Sequence, residues 1–222
     1  MPGEQTGPIE ETVPPVTGYR MLLPDQWAQV PLRQGTEEAI RRILDDAYTR
    51  MPKDAPPDRI GPYKRELERR FRGAVAQAQR TKALDLYLPV KPMGGNFSLG
   101  ASILVSETPL PRRVETTDRT EPTDLAVQLL SRDGVEGADL SSGEIDGALA
   151  VRREHVAEAN PGEGAELASR RVEYIVSVPD DPDRWFVAAF STIGSGHPRD
   201  ELSEALVEWF DAVMANFRWR RG

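Results

Sequence analysis

Residues 185–192, Trp-Phe-Val-Ala-Ala-Phe-Ser-Thr, are apolar at nearly every position. Such a run predicts a strand buried on both faces, with a covering layer on each side. Two amphipathic segments upstream and one downstream can supply those layers. In the first, Ile40, Ile43, Leu44, Ala47, Tyr48 and Met51 recur at helical spacing. Thr36 is placed to cap that helix, Glu37 and Glu38 suit the positive end of its dipole, and Pro52 ends it. The second runs from Pro62, which suits a first helical turn, to about Lys82. Its stripe is Tyr63, Leu67, Phe71 and Val75. Residues 53–60 contain Pro56 and Pro57 and predict a break between the two. The third helix opens near Pro198, Asp200 and Glu201 and carries Leu202, Leu206, Trp209, Phe210, Val213 and Phe217 on one side.

Shorter runs predict the other strands. They lie at 19–23, at 84–88 with Leu84, Leu86 and Leu88 facing in, at 101–105, at 144–151 and at 171–178. Residues 179–183 are a short turn, so strands 171–178 and 185–192 should pair as a hairpin. A short helix is expected at 123–130. Residues 1–17 are rich in Pro, Glu and Thr and predict a disordered tail, leaving 18–222 as one domain. The fold class expected is α+β: an αβα sandwich with a mainly antiparallel sheet, a helical pair on one face and the C-terminal helix on the other.

Composition narrows the chemistry. The chain has 222 residues and no cysteine, which removes disulfides and thiolate metal sites. The formal net charge of −8 disfavours general nucleic-acid binding. No run approaches the length of a membrane span, and residues 1–17 lack a signal-peptide pattern, so a soluble cytoplasmic protein is expected. Charge is uneven, however. Residues 59–82 hold eight basic side chains against Glu66 and Glu68. Arg65, Arg69 and Arg72 share one helix face there and are candidates for protein contact.

His155 and His197 are the two histidines, and neither has metal-ligand spacing to another ligand type. No metal and no cofactor is expected. Asp180, Asp181 and Asp183 crowd one turn but lack a calcium-loop pattern. Gly194, Ser195, Gly196 and His197 lie between a strand and a helix N-terminus, where backbone N–H groups could hold an anion. The stretch is neither a phosphate-binding P-loop nor a nucleophile elbow. Ser195 and His197 lack an identifiable third group for a catalytic triad. Met93 and Phe97 flank two glycines in a loop and are further contact candidates.

Residues 21–27, Met-Leu-Leu-Pro-Asp-Gln-Trp, run a strand into a proline and a tryptophan. The last helix is aromatic-rich at 208–213, Glu-Trp-Phe-Asp-Ala-Val. With the order strand, two helices, antiparallel strands and terminal helix, the chain resembles the Mog1/PsbP-like superfamily. Gln26 stands where a glycine often precedes the tryptophan, and the arginine-rich helix and long 107–121 connection depart from the common pattern. The arginine-heavy composition is similar to that of proteins from high-GC actinobacteria. The resemblance implies a non-enzymatic scaffold or accessory factor that binds another protein in a bacterial assembly. An anion-binding protein or enzyme using residues 194–198 is the alternative.

Overall fold

The computed structural model describes residues 13–51, 57–91, 99–109, 138–163 and 165–222. The described elements run β1 (Val16–Arg20), β2 (Trp27–Pro31), α1 (Thr36–Thr49), α2 (Pro57–Arg80), β3 (Asp85–Pro89) and β4 (Ala101–Pro109). After these come β5 (Asp139–Ile145), β6 (Ala148–Ala157), β7 (Ser169–Val178), β8 (Asp181–Thr192), α3 (Glu201–Ala215) and β9 (Arg218–Arg221). Seven strands form one antiparallel sheet in the order β2-β3-β4-β8-β7-β6-β5, and β1 pairs with β9 in a separate ribbon. The fold is α+β, with helices packed on both faces of the sheet.

The apolar run is the middle strand of the seven. Phe186, Ala188, Phe190 and Thr192 point to the α3 side and are buried. There Phe190 stacks on Phe210 at 5.0 Å, and Phe186 meets Phe217 at 4.9 Å. Strands β7 and β8 pair as the expected hairpin. The other face of β8 is more divided than a single helical pair over it would make it. Helices α1 and α2 bury Ile40, Ile43, Leu44 and Val75 against Val30 and Leu86, with Leu88 and Leu104 beside them. They therefore sit over the β2-β3-β4 end. Behind the centre of the sheet, Trp185 forms a separate cluster with Val151 and Ile175.

Several local expectations shift for identifiable reasons. The Trp27 N–H donates to the Pro24 carbonyl at 3.0 Å, closing a turn, and the same residue opens strand β2. Strand β1 starts at Val16, inside the stretch read as a tail, because β9 pairs with it. Gly35, with φ of 76°, caps α1; Thr36 is its first residue and donates to the Pro31 carbonyl at 2.7 Å. Helix α2 starts at Pro57 and carries Pro62 inside, forgoing one backbone donor. Residues 144–151 are a hairpin, not one strand: Asp146 and Gly147 adopt φ of 49° and 73°, the geometry of a two-residue primed turn. Helix α3 ends at Ala215. Phe217 lies beyond it and is fully buried, and the chain then turns back into β9. The expected helix at 123–130 lies outside the described residues.

Candidate functional site

On the α3 side of the sheet, α3 covers the middle strands and the β1–β9 ribbon lies beside it. A cleft of about 420 Å³ remains where the ribbon meets β2 and β3. Strand periodicity builds its floor. Gln29 on β2 pairs in register with Tyr87 on β3, and Asp85 lies two residues from Tyr87 on the same face. Tyr19 reaches in from β1, its ring packed on Phe186 and Phe217. Met21, Leu23 and Trp27 form an apolar wall, and Arg20 and Arg220 also line the cleft. Trp27 is itself held by stacking on Trp209 at 4.9 Å.

The polar atoms of the floor are ordered by one another. Tyr19 Oη donates to Asp85 Oδ2 at 2.5 Å, and Gln29 Nε2 donates to Asp85 Oδ1 at 2.8 Å. Tyr19 has one hydroxyl proton, committed to the carboxylate, so in its 3.0 Å contact with Tyr87 Oη the latter donates. The chain of donors thus runs Tyr87 to Tyr19 to Asp85. Burial pushes the Tyr19 phenol far above its ordinary value, helped by Tyr87 and Asp85, and burial pushes Tyr87 up to about 12. Both phenols keep their protons at neutral pH. What the cleft still offers is acceptors: free lone pairs on Asp85 and Tyr87 and the Gln29 amide oxygen. A ligand group on this floor must donate, while Arg20 and Arg220 suit an acceptor or anion at the side.

A second polar cluster ties α3 to the sheet. Arg152 makes a two-pronged pair with Asp211 at 2.9 Å on each prong, and Tyr174 Oη donates to Asp211 at 2.8 Å. Glu154 bridges Arg152 and Arg170, and Arg170 reaches Glu204 on α3. A depression of about 240 Å³ lies next to this cluster, under β5. Every charge in the cluster has an opposite partner, which marks it as a structural bridge.

The described sites expected from sequence lie where the pattern put them, and none of them lines this cleft. Arg65, Arg69 and Arg72 are exposed on α2. Arg69 pairs with Glu66, and Arg72 pairs with Glu37 and Glu68, so that face is largely neutralised. Two hydrogen-bonded arginines, Arg69 and Arg70, hold Glu66 down at about 2. Met93 and Phe97 lie outside the described residues. The Gly194–His197 loop already has an anion of its own. Asp200 caps α3 and accepts from Ser195 N, Ser195 Oγ and Ser203 N at 2.6–2.7 Å. Gly194 N is taken by Thr192 Oγ1 and Gly196 N by the Ile193 carbonyl. His197 Nδ1 accepts from Arg199 N. Gly194 sits at φ of 57°, and a Cβ there would meet Asp200 Oδ1 and Ser203 Oγ at 2.3 Å. Its glycine serves this cap. Among the described residues no group of three or more metal-ligating side chains comes together.

Sequence reading missed Tyr19, Gln29, Asp85 and Tyr87. A signal was present: the alternation that turns Leu86 and Leu88 toward the helical pair turns Asp85 and Tyr87 to the other face. What no pattern carried was that the ribbon would half-cover that face.

No family model matches this chain, and no characterised protein matches it by sequence. Among solved structures it is similar to LpqN of Mycobacterium tuberculosis, described as involved in cell envelope biogenesis. The identity is 12% and the TM-score 0.39, over 91% of this chain and 85% of LpqN. Nothing about this chain's activity or partner follows from so distant a likeness. No described helix is long and apolar enough to cross a membrane.

Proposed function

We propose that this protein is a non-catalytic interaction scaffold, an accessory or assembly factor of the Mog1/PsbP-like kind that holds another protein at the ribbon–sheet cleft. The observation that carries this reading is the fixed floor. Asp85 is positioned by Tyr19 and Gln29, and the two phenols are held protonated. Such a surface is preorganised for binding, which lowers the ordering cost of association. Its phenols are poor proton carriers at neutral pH, since general acid–base work favours groups that titrate near the operating pH. The partner presents a hydrogen-bond donor to Asp85 and Tyr87, apolar area to Met21, Leu23 and Trp27, and an acidic flank to Arg20 and Arg220. Layers of helix, sheet and helix, with strand β1 leading into the Pro24–Trp27 stretch, support the superfamily assignment.

The test is affinity capture from cell extract with mass spectrometry, comparing wild type with two variants. One is Asp85→Ala with Tyr87→Phe; the other reverses charge at Arg65, Arg69 and Arg72. A partner held by wild type and by the helix variant, but lost by the cleft variant, is the expected result. Equal capture by all three proteins refutes the cleft. Loss with the helix variant alone moves the contact to α2.

A further inference from the structure

The two edges of the seven-stranded sheet differ. Strand β2 ends in Pro31 and is flanked by the ribbon cleft. Strand β5, at the other edge, has six of seven residues exposed and no partner on its outer side among the described residues. Of the usual protections of an edge it has only the carboxylates of Asp139 and Glu144 near its ends: it carries no proline, no lysine and no bulge in its pairing with β6. Leu140 on this strand is 40% exposed.

The hairpin geometry dictates which groups are free. Ile145 and Ala148 flank a two-residue primed turn, so they form the hydrogen-bonded closing pair. Alternation then turns the N–H and C=O groups of Gly143, Ser141 and Asp139 toward β6. Those of Glu144, Ser142 and Leu140 point outward. We propose that β5 is a self-association edge and that a second copy of this chain pairs with it antiparallel, about a two-fold axis at Ser142. In this register Asp139 stands opposite Ile145 of the second copy, Leu140 opposite Glu144, Ser141 opposite Gly143 and Ser142 opposite itself.

Three features favour a second copy as the occupant. The register uses the whole strand and matches outward donors to outward acceptors at Leu140, Ser142 and Glu144 of both copies, giving six backbone bonds. Its centre carries only Ser141, Ser142 and Gly143, so side chains leave room for close approach on both faces. No like charges meet, and two symmetry-related opposite pairs form. Arg218 lies 3.7 Å from Asp146, the residue after Ile145, and its side chain is 56% exposed. Opposite Ile145 the dyad brings Asp139 of the second copy, on the same sheet face, within reach of that guanidinium. The interface is isologous and closes at two copies. It leaves both ribbon–sheet clefts free at the far ends of a continuous fourteen-stranded sheet, so it stands independently of the cleft's occupant.

Sedimentation equilibrium of the full chain across a wide concentration range tests this. The expected result is a reversible monomer–dimer equilibrium built on the 24.7 kDa chain. Ser142→Pro removes an outward N–H that β6 does not use and should raise the dimer dissociation constant about tenfold or more. Unchanged thermal unfolding at monomeric concentrations checks that this variant folds. Asp139→Arg should also weaken the dimer, and adding Arg218→Asp to the same chain should restore it, a rescue that needs no proline. A monomer at every concentration, or a dimer indifferent to all of these substitutions, overturns the proposal.

Discussion

Replacing Phe190 with alanine isolates the contact between the central strand and α3. Its side chain is 1% exposed, stacks on Phe210 at 5.0 Å and meets the edge of Trp209 at 6.2 Å. Phe210 is itself fully buried, so the space left by the ring cannot fill from solvent without wetting the core. Truncating a buried phenylalanine costs about 3–5 kcal/mol, counting lost transfer energy and the residual cavity. For a chain of this length each kcal/mol lowers the melting temperature by about 2–4 °C, so Phe190→Ala should melt roughly 6–20 °C lower. Val187 is the internal control. It is three residues away on the opposite, half-buried face, and Val187→Ala should cost about 1 kcal/mol. Urea unfolding followed by tryptophan fluorescence and circular dichroism measures both. Adding Phe210→Ala completes a cycle whose coupling should be about 0.5–1.5 kcal/mol, the increment of an aromatic pair beyond its area. Equal costs at Phe190 and Val187, or zero coupling, would mean that α3 is not what covers this face.

Tyr19→Phe removes the hydroxyl that joins Tyr87 to Asp85, and should cost about 1–3 kcal/mol by leaving both with one partner fewer; Gln29→Ala, which spares that hydroxyl, serves as the comparison, and unchanged stability in Tyr19→Phe would refute the relay. The Asp200 carboxyl is held well below the usual carboxylate range by hydrogen bonds from Ser195 and Ser203. Because its folded value lies below its unfolded one, this contribution is full above about pH 4 and is lost as pH falls through the folded value. Asp200→Asn should therefore flatten the acid limb of a melting-temperature profile, and an identical limb in the variant would reject this cap as the cause. Arg152→Ala leaves Asp211 without a guanidinium and Glu154 with Arg170 alone; since Asp211 is partly exposed and screened, the loss should be about 2 kcal/mol, and high salt should not abolish it.

The gross layering was legible in the chain because periodicity is a local property. An unbroken apolar run such as 185–192 is stable only between two layers, and the stripes from Ile40 to Leu44 and from Leu206 to Val213 can only be buried helix faces. The hairpin turn at Asp146-Gly147 was equally local, and its dipeptide is the signal for it, although the single strand expected over 144–151 ran straight through it. Three matters were decided only in three dimensions. Strand β9 exists because Tyr19 and Trp219 meet in register across almost the whole chain, and no window of sequence contains both. The helical pair settled over β2 and β3, where Val30 and Leu86 lie, because short connections bind α1 and α2 to those strands. The candidate site follows from the first of these. Asp85 and Tyr87 read as an ordinary solvent-facing alternation until the ribbon folds over them, since a side chain's local pattern fixes the face it occupies while burial depends on what arrives from elsewhere in the chain.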